Sequence, residues 1–339
     1  MGGLPKKASR IEQSRRESRL PVLLLDGGSL LFRPGHYDPG QTAQAGIVAT
    51  ALVDSYNLMA YDAVGVSSRD LAGGVAFLLE LQARAKFAWL SANLLDARSG
   101  RPLFRPYLEL PLGNIRLAVT ALTDQAPQLV NKIGADCKLV GWAEILPRLI
   151  AELEKRNDFI ILLTGYDQAT CREIAAAFPQ INLIIPAFGV DNLPPELLSD
   201  TTILTQTGRQ GEYLGALTVH PQPSRRWDNG MKEALAQKRR EMAILNRQEE
   251  RFRNRPQAQG RYRQILKKTE KLGKQIKGLE KELQQRPAGE AESTYTSRFL
   301  AISPNLPDDP KVLAIIDQAK RRVAESTGDK PGSPAKHGG

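Results

Sequence analysis

The sequence predicts an α/β chain, a sheet covered by helices, with an antiparallel helical hairpin towards its C-terminal end. Three observations carry this expectation. Short apolar runs rich in β-branched residues alternate with helix-period segments up to about residue 190. Two later segments repeat apolar residues at steps of three and four, the spacing of a helix–helix seam. The charge is also segregated: Arg225 to Arg286 holds 19 Lys and Arg against 8 Asp and Glu, and the remainder holds 28 against 29.

Taken in order, the expected elements begin with a helix over 6–18 and a strand over 21–26. A helix over 43–59, a strand over 60–66, a helix over 70–85 and a strand over 87–94 follow. Strands are expected at 107–112 and 115–122, a helix at 143–155, a strand at 159–164, a helix at 168–178 and a strand at 181–186. Residues 202–207 and 213–220 read as a closing pair of strands around a turn at 208–211. This alternation implies an α/β sheet with helices on its faces.

The character changes after Pro221. Met231, Leu235, Met242, Leu245 and Phe252 form one apolar series, and Ile265, Leu272, Ile276, Leu279 and Leu283 form a second. Pro256, within 254–260, breaks the pattern and marks the turn between the two helices. Lys238 and Glu249 interrupt the first series. Gly273 and Gly278 weaken the second helix by about 1 kcal/mol each relative to alanine. Residues 293–310 are proline-rich and extended, 310–325 form a short amphipathic helix, and 326–339 are small, polar and expected to be disordered. The expected domains are therefore 1–221, a basic hairpin at 228–286, an extended segment with a helix at 287–325, and a tail at 326–339.

Composition bounds the function. The 339 residues fit about two domains, and a hydrophobic fraction of 41% supports a packed core. No apolar run is long enough to span a membrane. The opening MGGLPKKASRIEQSRRES has charges but no apolar stretch of the kind a signal peptide needs. Taken literally, this places the chain in the cytoplasm. Cys137 and Cys171 make no CxxC or CxxCH motif. Two buried free thiols are the simpler reading, with a disulfide left open.

The segments PVLLLDGGSLLF, AYDAVGVSSRDLAGGVAFL, FAWLSANLLDARSGRPLFRPYLEL, NIRLAVTALTD, FIILLTGYD, INLIIPAFG and QGEYLGALTVH occur in that order over about residues 1–221. Together they resemble the 5′-nucleotidase branch of the calcineurin-like metallophosphatases. The resemblance implies a layered αββα sandwich and a metal-dependent phosphoric ester hydrolase. It also implies where two metal ions would be held, and there the chain departs from the family. Ser29 stands where the family has the Asp that bridges the metals, with Asp26 three residues earlier. The family's Gly–Asn–His loop reads Gly65–Val66–Ser67–Ser68, followed by Asp70 at a helix-capping position. Gly165 replaces a His ligand after Leu163–Thr164, and Pro186, Ala187, Phe188 and Gly189 cover the Gly–His–x–His segment. Hydroxyls and a valine do not replace imidazole and carboxylate as ligands of a divalent ion. No metal and no cofactor are therefore expected.

Met1–Gly2–Gly3–Leu4 resembles the family sequence just after its first strand, which carries an Asp–x–His pair. The expectation is that Met1 is an internal start, because loss of a central strand leaves unpaired backbone groups. An upstream segment could then carry an export signal, and the location would be extracytoplasmic. The hairpin and the segment that follows it are similar to an extension in bacterial nucleotidase-like proteins.

Several residues admit two readings. Asp26, Ser29, Ser67, Asp70, Asn93 and Asp167 could line a relic cleft, or they could serve as turn and cap residues. Gly27 and Gly28 could offer backbone N–H groups to a phosphate or form a strand-end turn. Cys171 at a helix start could be a reactive thiol or core packing. His36, His220 and His337 are scattered and read as isolated. Arg251, Arg253, Arg255, Arg261, Arg263, Lys267 and Lys268 surround Phe252 and Tyr262 near the hairpin tip. They suit an anionic partner or a solvated helix face.

The function expected is a catalytically inactive nucleotidase-like protein that acts as a binding or scaffold module through its basic hairpin. Its partner would be an unidentified protein or another anionic surface. A phosphoesterase with a remodelled site and a nucleic-acid-associated protein using the hairpin are the alternatives.

Overall fold

The computed structural model of the chain describes residues 3–32, 42–126, 136–187, 189, 191–208, 211–228, 230–253, 257, 259–284 and 291–327. The chain divides into two units, Met1–His220 with Tyr295–Gly339, and Pro221–Thr294. The segment after the hairpin thus returns to the first unit.

The first unit is a mixed α/β body. Its elements are α1 (Gly3–Glu17), β1 (Leu25–Asp26), α2 (Thr42–Leu58), β2 (Ala63–Gly65), α3 (Val75–Arg84), β3 (Ala88–Leu90) and β4 (Leu94–Asp96). Then follow β5 (Tyr107–Leu112), β6 (Ile115–Leu122), β7 (Cys137–Leu139), α4 (Trp142–Leu153), β8 (Phe159–Thr164), α5 (Gln168–Ala177) and β9 (Leu183–Pro186). β10 (Leu193–Leu197), β11 (Ile203–Gln206), β12 (Tyr213–His220), β13 (Thr294–Ala301) and α8 (Pro310–Thr327) complete it; α6 and α7 belong to the second unit.

A three-stranded parallel sheet runs β1-β2-β3, and a six-stranded sheet runs β10-β11-β9-β8-β6-β5. The alternation within β6 and β8 explains the layering. Ala118, Leu122, Ile160 and Leu162 point to one face and join Leu146, Ile150, Ile174 and Cys171 of α4 and α5. On the other face Leu163 lies 3.1 Å from where a Cβ on Gly65 of β2 would sit, so the two sheets face each other there. The small sheet is covered in turn by Ala8 and Ile11 of α1, Val53 and Tyr56 of α2, Leu78 of α3 and Val312 of α8. Helix, sheet, sheet, helix is the resulting order of layers. α8 opens with Pro310 behind Asp309, whose Oδ1 accepts the amides of Lys311 and Val312 at 3.0 and 2.9 Å.

Four expectations need correction. Residues 203–206 and 213–220 are strands but do not pair with each other: β11 lies between β10 and β9, and β12 pairs with β13. Residues 209 and 210 of the expected turn lie outside the described residues. The single helix over 70–85 is a 3₁₀ turn at Ser68–Gly73 and then α3, because Gly74 at φ 88° cannot continue a helix. The single strand over 87–94 becomes β3 and β4: Ala92 N–H donates to Ala121 C=O at 2.8 Å, so the chain crosses between sheets. Finally, Ser326 and Thr327 of the expected disordered tail belong to α8, and residues 328–339 lie outside the described residues.

The second unit contains α6 (Met231–Arg253) and α7 (Gln259–Gln284). They pack through Leu245, Ile265 and Leu272, with Met242, Phe252 and Ile276 alongside. Most of the seam expected from the spacing is therefore in contact. Of the turn between them, residues 254–256 and 258 lie outside the described residues. Trp227, fully buried, bridges to Ser293 at the base of this unit.

Candidate functional site

The loops that follow β1 and β2 meet at the carboxyl ends of the small parallel sheet. The first follows β1, and Gly28 and Ser29 there adopt φ of 119° and 58°. Glycine is required at 28, since a Cβ would stand 2.6 Å from Gly65 C=O. Ser29 adopts a left-handed conformation that L-residues disfavour by about 1 kcal/mol or more. Its N–H is held by Asp70 Oδ2 at 2.9 Å and Ser67 Oγ at 3.0 Å, which offsets that cost.

Asp70 is the clamp between the loops. Its Oδ1 accepts Leu31 N–H at 3.0 Å, and its Oδ2 also accepts Ser67 N–H at 3.0 Å and Ser67 Oγ at 2.8 Å. Ser29 Oγ and Ser67 Oγ lie 3.0 Å apart. Asp70 is fully buried, and burial raises its pKa against the opposing pull of these donors. Ser29, Ser67 and Asp70 are therefore brought together, and each serves another. Val66 is core: its N–H donates to Leu90 C=O at 2.9 Å and its carbonyl accepts Thr123 Oγ1 at 2.9 Å.

Asp26 ends β1 and turns the other way. Its Oδ2 accepts Tyr56 Oη–H at 2.7 Å, and its Oδ1 accepts Gly28 N–H at 3.1 Å. Lys7 Nζ donates to Tyr56 Oη at 3.1 Å and lies over the rings of Tyr56 and Tyr61. Burial disfavours the Lys7 ammonium, but Tyr61 and Asp26 outweigh it and leave its pKa raised.

A second cluster lies at the ends of β6 and β8. Gly165 follows β8, and a Cβ there would overlap the carboxylate of Asp124. Asp124 is 8% exposed and accepts Ser68 N–H at 2.8 Å and Ser68 Oγ at 2.5 Å. Burial raises its pKa, partly opposed by Ser68. The Asp124 carboxylate thus fills the volume that a ligand side chain at 165 would enter. Gly189 repeats the pattern, since a Cβ there would overlap the Gln206 carboxamide. Ala187 N–H donates to Thr164 C=O at 2.7 Å, and Phe188 lies outside the described residues.

Asp124, Gln125, Gly165, Tyr166, Asp167 and Thr170 line a cleft of about 430 Å³. Asp167 caps α5 by accepting Thr170 N–H at 2.9 Å, which lowers its pKa. Burial, then the Asp124 carboxylate, pushes the Tyr166 phenol up to about 12. Asn93 belongs to neither cluster. Its amide donates to Thr123 and Val140 carbonyls, both at 2.8 Å, and its Oδ1 accepts Thr123 N–H at 2.8 Å. Cys137 and Cys171 are both free, and burial pushes the Cys171 thiol up to about 12. His36 and His337 lie outside the described residues, and His220 ends β12.

Sequence reasoning missed Asp124, Ser68 and Gln206. An acid two residues past the end of the eight-residue strand β6 was the available signal, since crevices form at the carboxyl ends of parallel strands. The fold family implies two metal ions, and the residues present do not fit them. Among the described residues, no three His, Cys, Asp or Glu side chains come together in a way that could hold a metal. The oxygens of Asp70 and Asp124 are already taken by the amides of Ser29, Leu31, Ser67 and Ser68 and the hydroxyls of Ser67 and Ser68.

On the helical pair, Arg251 and Arg261 lie over the Phe252 ring at 6.0 and 5.3 Å, and Arg253 pairs with Glu249 at 3.2 Å. Arg263, Lys267 and Lys268 are exposed, and Arg255 lies outside the described residues.

No family model matches the chain. It is 31% identical over 107 residues to a 2′,3′-cyclic-nucleotide 2′-phosphodiesterase/3′-nucleotidase of Yersinia enterocolitica, covering 31% of this chain and 16% of that protein. It is 29% identical over 166 residues to protein UshA of Salmonella pullorum, covering 48% of this chain and 30% of that protein. The chain thus spans less than a third of the length of either relative. Among solved structures, a 5′-nucleotidase precursor of Thermus thermophilus superposes with a TM-score of 0.63 at 15% identity, covering 96% of this chain and 54% of that one. The curated proteins that this chain resembles include 5′-nucleotidases and metallophosphoesterases, and its α/β fold is that of the Thermus thermophilus 5′-nucleotidase precursor.

Proposed function

We propose that this chain is a nucleotidase-like module whose phosphoesterase cleft is catalytically silent, and that it acts as a binding or scaffold element through its basic helical pair. One observation carries the reading. The carboxylates of Asp70 and Asp124 are taken up by hydrogen bonds from Ser29, Leu31, Ser67 and Ser68. A two-metal hydrolase needs open coordination positions to hold both ions and activate water. The test measures bound metal and turnover of a nucleoside monophosphate and a 2′,3′-cyclic nucleotide, on one sample supplied with Mn²⁺, Zn²⁺ and Mg²⁺. No bound metal and no turnover is the expected result. Stoichiometric metal with turnover lost on chelation would overturn the silent-cleft reading.

A hydrolase with a rebuilt site is the second reading. It is favoured by the cleft itself, which places a buried carboxyl of raised pKa, Asp124, beside Tyr166 and Asp167. A carboxyl of raised pKa suits general acid work on a leaving group. Turnover abolished by Asp124→Asn would support this reading, and turnover unaffected by it would reject it.

A further inference from the structure

We propose that the outer face of α7 binds the phosphate backbone of duplex nucleic acid. The inference rests on the reading of the helical pair as a docking element and names the partner.

Arg263, Lys267, Lys271, Lys274, Lys277 and Lys281 follow one another along α7 at steps of three and four, so they share one helix face. All six are exposed. They lie opposite the seam formed by Ile265, Leu272 and Ile276, and the row extends over about 27 Å of helix. Glu270 is the acid within this face, and it pairs with Lys274 at 2.8 Å. Among the described residues the other five cations make no ion pair. The face is a straight row of solvated positive charge.

Three features favour a duplex backbone over other anions. The buried apolar residues of α7 are covered by α6, and Leu266 is its one large apolar side chain left exposed among the described residues. A helix that lies in a lipid interface buries an apolar face there, and this one has none to offer. Secondly, Phe252 is covered by Arg251 and Arg261 and is not free to stack on an unpaired base. Thirdly, five of the six cations are lysines, which act as point charges without the planar fork that reads guanine edges. Regularly spaced like charges on a rod match a polymer of regularly spaced phosphates. Binding of this kind is independent of base sequence and depends steeply on salt.

The test uses the full chain and a labelled duplex of about 30 base pairs, followed by fluorescence anisotropy from about 50 to about 200 mM KCl. Affinity should fall on the order of 10³-fold over that range. The variant Lys267→Gln/Lys271→Gln/Lys274→Gln/Lys277→Gln should bind at least about 30-fold more weakly at the lower salt and lose about four units of salt slope. Arg240→Gln/Arg247→Gln on α6 should change affinity by less than about threefold. Circular dichroism of both variants checks that the helices persist. Failure to bind duplex at low salt, or equal losses in the two variants, would overturn the proposal. Capture by phosphatidylserine vesicles without duplex binding would also overturn it, yet leave the docking role of the hairpin standing. The silent-cleft reading is decided separately, by metal content and turnover.

Discussion

The cleft loops of the first unit and the outer face of α7 treat charge in opposite ways. In those loops, Asp70 accepts four hydrogen bonds and Asp124 accepts two. On α7, six cations and one acid, Glu270, are left to solvent along a single face. A buried charge is costly unless it is paired or hydrogen-bonded, so the cleft network is what holds its loops together. A solvated lysine contributes little to stability, so a row of them needs another explanation. The difference teaches that residue type alone does not separate a site from a scaffold. Burial and partners do.

Breaking the buried side has the largest expected effect. Asp70→Ala leaves the amides of Leu31 and Ser67 without their acceptor in a buried site and takes one of two acceptors from Ser29. It should lower the unfolding free energy by about 3 kcal/mol, read by urea denaturation with tryptophan fluorescence. A loss below about 1 kcal/mol would show that water replaces the carboxylate. Gly165→Ala comes next, at about 2 kcal/mol, because its methyl overlaps Asp124. Asp124→Ala makes room but strands the Ser68 amide. The double variant should therefore cost less than the two single costs together by about 1 kcal/mol or more. Additive costs would mean that Asp124 does not fill the space beside residue 165.

The pH dependence sharpens the same point. Burial raises the pKa of Asp124, so the folded chain holds that proton more tightly than the unfolded chain does. Its contribution to stability is complete below the unfolded value, about 4, and is lost as pH rises through the raised folded value. Stability measured for Asp124→Asn against the parent should shift in the variant's favour from about pH 4 towards neutrality. A pH-independent difference would contradict a burial-shifted carboxyl. The smallest effect belongs to the exposed side. Lys267→Gln with Lys271→Gln should leave the urea midpoint where it is, since both side chains are solvated. A lowered midpoint would make the row structural rather than available to a partner.

Much of the fold is legible locally. The strands at 107–112, 115–122, 159–164 and 213–220 coincide with the bounded apolar runs that predict them. β10 was illegible because Pro194 and Pro195 argue against a strand, and it survives at a sheet edge paired to β11 alone. The partner of β12 was illegible for a different reason. β13 lies far along the chain, and proximity in sequence favoured β11. In the site, Asp70 as a capping residue and Asp167 at a helix start were readable from their spacing. Asp124 was not, because only the parallel register of Leu122 with Thr164 sets it beside Gly165.

By itself the sequence determined the alternation of strands and helices, the two seams of the helical pair and the basic character of that pair. The first two follow from periods of two and 3.6 residues, which are local properties of the backbone. Only the tertiary structure decided which strands pair, and that Asp124 and Gln206 occupy the space beside Gly165 and Gly189. Close packing between distant segments sets those outcomes, and no local period encodes it.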